Sequence, residues 1–261
     1  MTAEENFKVI RFDSVDSTNV RISADRAGLS DRTVYAARLQ TAGRGQRGNS
    51  WTSAQGENLT FSILLKPTYL PAAGQFAISE AVALGLTDYL SSRGMDARIK
   101  WPNDIYVADR KICGILIENF IGGANLADCI AGIGLNVNQK DFGPSAPNPT
   151  SIFLEKGVRY DVDIELISVL TAVDKRLKTL EDGRTDELER DYLSRLYRMG
   201  EWHEYIDCRD NADTLTPTTI MIEGKRFTGC ITGVAPGGFL RVETADGEEI
   251  QFAFKEIRYV I

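Results

Sequence analysis

Apolar and polar positions alternate along several short runs of this chain, and each run reads as a strand. Lys8-Val9-Ile10-Arg11-Phe12 is the first, Thr33 to Leu39 the second, and Asn58 to Lys66 a strongly apolar third bounded by Pro67. Three more follow closely at Ala97 to Trp101, Asp104 to Val107 and Lys111 to Phe120, with Asp109-Arg110 as the turn between the last two. Ile130 to Val137 is a further apolar strand. Helical spacing marks other stretches. Asp16-Ser17-Thr18-Asn19 offers N-caps for a short helix closed by Gly28. Ala72 to Ser92 repeats apolar residues at helical intervals, with Gly94 just past its end. Ile164 to Leu180 and Thr185 to Met199 give two more helices, and the proline-rich Gln139 to Thr150 reads as a loop.

From about Arg209 the texture changes to short strands at Ile220 to Ile222, Phe227 to Val234, Phe239 to Glu243 and Glu249 to Phe254, separated by glycine turns. That spacing predicts a small all-β barrel. A boundary near residue 208 divides the chain into 1–208 and 209–261. The first part mixes strands and helices without strict alternation, which predicts an α+β fold rather than a doubly wound sheet.

Composition narrows the function. The chain has 261 residues, 43% hydrophobic and 26% charged, with 30 basic against 37 acidic side chains and a net charge of −7. This balance argues against a broad nucleic-acid surface. No run reaches the ~18 apolar residues of a membrane span, and the acidic start MTAEENFKVI is unlike a signal peptide. A cytoplasmic protein is expected. His203 is the sole histidine, which removes mechanisms needing two. Cys113, Cys129, Cys208 and Cys230 form no CxxC pair and read as reduced, buried thiols.

Four clusters carry candidate chemistry. Gly43-Arg44-Gly45-Gln46-Arg47-Gly48 formally matches the dinucleotide fingerprint, but no helix follows it, so that reading fails. Its glycines still let backbone N–H groups approach an anion, and its arginines supply charged forks. Alone, it reads equally as a flexible surface turn. Lys100-Trp101-Pro102-Asn103-Asp104 reads first as a rigid corner braced by Asn and Asp side chains. In Lys111-Ile112-Cys113-Gly114-Ile115-Leu116-Ile117-Glu118, the lysine opening an apolar strand can aim its ammonium into a site or simply guard a sheet edge. Gly132 and Gly134, alternating within a strand, suggest close approach by a ligand, and Asn136 either reads an adenine edge or braces a turn.

Taken together and in order, Ser17-Thr18-Asn19, Gln40, the 43–51 run ending in Trp51, KWPND at 100–104, KICGILIE at 111–118 and GIGLN at 132–136 resemble the biotin protein ligase family. The resemblance implies a mixed sheet flanked by helices followed by an SH3-like barrel. It also implies an enzyme using biotin, ATP and Mg2+ to form biotinyl-5′-AMP. Biotin would then pass to a lysine of a biotin carboxyl carrier domain of a biotin-dependent carboxylase. Ser17, Thr18, Asn19 and Gln40 would meet the biotin head. Arg44, Gly45 and Gln46, with Gly43, Arg47 and Trp51, would form the loop over the adenylate. Lys111, beside Gly114, would sit between carboxylate and α-phosphate, Asp104 would orient or deprotonate the incoming lysine, and Gly132, Gly134 and Asn136 would line the pocket. Gln46 and Asn49 stand where family loops carry basic residues, so adenylate retention is expected to be weaker. Ser17 lies too near the start for the DNA-binding winged helix of some members, so no repressor role, nucleic acid or membrane partner is expected. Monomer and homodimer stay open. The nearest rival is a lipoyl or octanoyl ligase or transferase of the same fold; a rival of another class is a non-enzymatic biotin- or nucleotide-sensing module.

Overall fold

The computed structural model describes residues 6–143, 146, 148–209 and 224–261, and of Arg47 its backbone alone. Seven strands form the main sheet: β1 (Lys8–Phe12), β2 (Thr33–Ala37), β3 (Leu59–Leu65), β4 (Ala97–Lys100), β5 (Asp104–Val107), β6 (Arg110–Gly122) and β7 (Asn125–Leu135). Their order is β1-β2-β3-β7-β6-β5-β4, with β1 and β2 parallel and every other neighbour antiparallel, a mixed sheet as expected. The helices are α1 (Thr18–Asp25), α2 (Phe76–Ser92), α3 (Ile152–Lys156), α4 (Val162–Glu181) and α5 (Thr185–Ser194). No helix among the described residues is long and apolar enough to cross a membrane.

The period of two in β3 divides the sheet's faces. Leu59, Phe61, Ile63 and Leu65 pack into the large core with α2 and α4, whereas Leu64 joins a smaller cluster with Ile22 of α1, Tyr35 and Ile130. Thr60 and Ser62 share that second face. β7 follows the same rule: Ala131, Ile133 and Leu135 enter the large core, and Gly132 and Gly134 face the other way. The long helices therefore cover one face, and the other keeps its small and polar residues for α1 and a cavity. Helices α2 and α4 cross closely at Gly85, where a Cβ would lie 2.6 Å from the Val173 Cα.

A second sheet is built from β8 (Trp202–Asp207), β9 (Lys225–Ala235), β10 (Phe239–Thr244), β11 (Glu249–Phe252) and β12 (Ile257–Tyr259), in the order β11-β10-β9-β8-β12 and wholly antiparallel. The expected strand at 220–222 lies outside the described residues. β8 precedes residue 208 yet pairs with both β9 and β12, so this sheet begins before the change in sequence texture. Other boundaries also move. The turn before β6 is Ala108-Asp109, with Ala108 at φ 50°, one residue earlier than expected. β7 starts at Asn125, because β6 and β7 form one long hairpin whose solvated end lacks an apolar signature. Helix α5 ends at Ser194, where the chain turns to lay Leu196 beside Ile99.

Glu80 on α2 is 7% exposed, and burial followed by the nearby charge of Glu189 pushes its carboxyl up to about 7. The folded state then binds more protons than the unfolded state between the ordinary carboxylate range and about pH 7. Stability should fall as pH rises through that window. Glu80→Gln is expected to flatten this slope, measured as the urea midpoint at pH 5.5 against pH 8.

Candidate active site

The second face of the main sheet forms the floor of a cavity of about 510 Å³. Two cross-strand rows explain why glycine is needed there. In one, Ser62, Gly132 and Leu116 lie side by side; in the next, Thr60, Gly134, Gly114 and Asp104 do. The Asn19 amide rests on Gly132, where a Cβ would lie 2.1 Å from its Oδ1. The Trp51 indole rests on Gly134 and Gly114, where added Cβ atoms would come within 2.3 Å and 3.1 Å of its ring. The close approach predicted from the glycines is thus made by the protein's own side chains. Indole Nε1 of Trp51 is buried and has no hydrogen-bond partner among the described residues.

At one end, α1 presents a buried polar cluster. Ser17, Thr18 and Asn19 are 2–4% exposed. Gln40 Oε1 accepts from the Thr18 backbone N–H at 2.7 Å and lies 3.1 Å from its hydroxyl. Ser62 Oγ is 2.7 Å from Thr18 Oγ1 and donates to Asn19 Oδ1 at 2.5 Å. Asn19 Nδ2 donates to Glu118 Oε2 at 2.7 Å. Above this cluster the 43–51 loop folds on itself. Gly45 N–H donates to Asn49 O at 2.7 Å, and Trp51 N–H donates to Gly43 O at 2.9 Å.

At the other end, Lys111 Nζ lies 2.7 Å from Asp104 Oδ1 and 5.7 Å from the Trp51 ring centroid. Its backbone is pinned between loop residues: Lys111 N–H donates to Asn148 O at 2.7 Å, and Lys111 O accepts from Thr150 N–H at 2.8 Å. The side chain is left to face the cavity. Asp104 is placed by the corner before it, where Asn103 Nδ2 donates to Ile115 O at 2.8 Å. Lys100, opposite Asp104 in the β4–β5 pair, sits 4.6 Å over Tyr259 and 5.2 Å over Tyr106. Burial lowers the proton affinity of its ammonium, an effect Asp104 opposes. Trp101, cis-linked to Pro102, donates its indole N–H to Gly238 O at 2.9 Å. That bond ties the corner to the second sheet, whose Ile257 and Tyr259, with Phe254 in the turn before β12, help line the cavity.

The structure brings together Ser17, Thr18, Asn19, Gln40, Arg44, Gly45, Gln46, Trp51, Asp104, Lys111, Gly114, Gly132 and Gly134 around this one cavity. Gly43 stands behind the wall as the anchor of Trp51. The Arg47 side chain lies outside the described residues. Asn136 does not reach the cavity: its Nδ2 donates to Thr150 O at 2.9 Å, so it braces the loop that pins Lys111. Ser62 and Tyr259 were missed by sequence reasoning, and Lys100 and Glu118 were read only as members of their motifs, with no role of their own. Only the polar residues in otherwise apolar β3 and β6 carried a signal. All four cysteines are free and buried, and His203 pairs with Glu201 at 2.9 Å, away from the lining.

Residues 9–136 match the model of the biotin/lipoate A/B protein ligase family. The chain is 33% identical over 193 residues to a biotin–acetyl-CoA-carboxylase ligase of Paracoccus denitrificans, covering 71% of this chain and 80% of that protein. It is 32% identical over 232 residues to the bifunctional ligase/repressor BirA of Escherichia coli, covering 88% of this chain and 67% of that protein. The biotin protein ligase of Aquifex aeolicus, solved in complex with biotin and ATP, superimposes with a TM-score of 0.76 at 25% identity. That match covers 97% of this chain and 99% of the other.

Proposed function

We propose, from the premise that this chain belongs to the biotin/lipoate A/B protein ligase family, that it is an ATP-dependent biotin protein ligase acting on a biotin carboxyl carrier domain. The observation that carries this reading is the pairing, within one cavity, of a buried hydroxyl-and-amide cluster with a cationic amine beside a carboxylate. A ureido ring has one acceptor and two N–H donors, which the cluster at Ser17, Thr18 and Gln40 can meet. An aliphatic acyl head would leave those groups without partners at ~1–3 kcal/mol each. That cost favours biotin over lipoate.

In the first step a biotin carboxylate oxygen attacks the α-phosphorus of ATP, and the bond to pyrophosphate breaks. Both reactants are anions. Lys111 offsets their repulsion and stabilises charge on the phosphoryl oxygens as it builds. Arg44 on the covering loop adds a second cation at the cavity. In the second step the carrier lysine amine attacks the acyl carbon and AMP leaves, and we assign Asp104, beside Lys111, to orient the amine or take its proton. Magnesium, when bound, neutralises the phosphate chain. We assign magnesium to the MgATP substrate.

Incubating the protein with MgATP, biotin and a biotin carrier domain should add one biotinyl group to the carrier by mass spectrometry. No gain on a competent carrier, or a gain with lipoate alone, would overturn the reading. A further expectation concerns Gln46, which lines the cavity from the loop. Gln46→Arg adds a guanidinium there and should slow adenylate release by about a few-fold to tenfold, read by stopped-flow chase; unchanged or faster release would contradict the role of that position.

A further inference from the structure

We infer that Glu155 is a positioning residue for Lys111: it fastens the strand irregularity that turns the Lys111 side chain into the cavity. This inference rests on the role given to Lys111 above.

Alternation along β6 would send Lys111 the other way. Cys113 and Ile115 pack into the large core, whereas Gly114 faces the Trp51 indole in the cavity. With a period of two, residue 111 would join Cys113 and Ile115. It does not, because β6 carries a bulge. Ile105 pairs with Cys113 and Tyr106 with Lys111, so Ile112 has no residue opposite it on β5. Ile112 and Cys113 then enter the large core in succession, and Lys111 emerges on the cavity face.

A bulge disrupts the ladder, and β7, which steadies β6 from the other side, ends at Leu135 opposite Cys113. The last contact from that side is Asn136 N–H to Ile112 O at 2.9 Å. Beside Lys111 a strap at 148–150 takes the place of β7. Lys111 N–H donates to Asn148 O at 2.7 Å, and Thr150 N–H donates to Lys111 O at 2.8 Å. Glu155, on the short helix α3 that follows the strap, joins the two chains. Its carboxylate accepts the hydroxyl proton of Thr150, which is fully buried. It also accepts from the guanidinium of Arg110, the residue before Lys111, at 3.0 Å. The Arg110 side chain is half exposed, so that arm contributes less than the buried one. One carboxylate thus clamps the strap to the strand where the ladder fails. Without it the bulge is freer to relax, and the ammonium swings away from the two anions it must face.

The test is biotin- and ATP-dependent pyrophosphate exchange on the full chain. Glu155→Ala should lower kcat at least about tenfold, with the biotin KM moved less than about threefold, since a misplaced catalytic group costs rate and the α1 cluster is untouched. Glu155→Gln keeps an acceptor for Thr150 and should recover most of the loss. Thr150→Val removes the donor at similar volume and serves equally if Glu155→Ala does not fold, with Thr150→Ser as its recovery. The deciding readout is the same substitution made on Lys111→Ala. A residue that acts only through the ammonium has nothing left to position there, so the further loss should be under about twofold. A merely structural role would cost as much in both backgrounds. An undiminished kcat in a folded Glu155→Ala or Thr150→Val, or an equal loss with and without the Lys111 amine, overturns the clamp alone. Exchange that Lys111→Ala leaves unchanged overturns the role of Lys111 and the clamp with it.

Discussion

Lys111→Ala is expected to lower biotin- and ATP-dependent pyrophosphate exchange by at least two to three orders of magnitude while leaving the circular dichroism spectrum unchanged. The size follows from what the ammonium does. Preorganised donors aimed at developing charge contribute ~2.7–4 kcal/mol each when tested by removal, and here the charge lies between two anions that repel. The fold should survive because Lys111 is held by its backbone, through Asn148 and Thr150, rather than by its side chain. That side chain is about one third exposed, and its loss leaves no cavity in the core. Exchange near the wild-type rate would refute the assigned role. Loss of exchange together with a collapsed spectrum would assign Lys111 a structural part instead.

Gly132→Ala is expected to weaken biotin binding by one to two orders of magnitude, measured by calorimetry. The added methyl would lie 2.1 Å from Asn19 Oδ1, well inside any allowed contact. The amide has little freedom to retreat, being bonded to Glu118 on one side and Ser62 on the other. It must leave one of them, and α1 carries Ser17 and Thr18 with it. Displacing positioned groups by about an ångström commonly costs on the order of 100-fold. Gly28→Ala is the matching control, since nothing among the described residues lies within 4 Å of its added Cβ and its backbone is not left-handed. It should bind biotin as wild type does. Equal binding by both variants would mean that the amide is not seated as described.

How far the sequence could be read depended on locality. The GRGQRGNSW loop, KWPND and KICGILIE each place several unusual residues at close spacing, and a short stretch of backbone carries them into the cavity together. Asn103 bracing a corner was legible for that reason, since its partner, Ile115 of β6, lies only 12 residues ahead. The partners of Ser62 and Glu118 were not, because Ser62 meets Thr18 across 44 residues of chain and Glu118 meets Asn19 across 99. Asn136 had two readings in the sequence, and only the position of Thr150 chose between them. Gly132 and Gly134 announced a close approach without naming what approaches.

The order of hydrophobic and polar residues by itself determined that this chain makes an α+β fold followed by a small all-β unit, and which clusters of residues are candidates to carry its chemistry. Those properties depend on period, turn residues and nearest neighbours along the chain. The tertiary structure alone decided what each group faces. It seated Trp51 and Asn19 on the glycines, drew Lys111 against Asp104, and brought the second sheet over the cavity. Hydrogen-bond direction and charge pairing act across a few ångströms of space, and strand pairing sets those distances between residues that the chain keeps far apart.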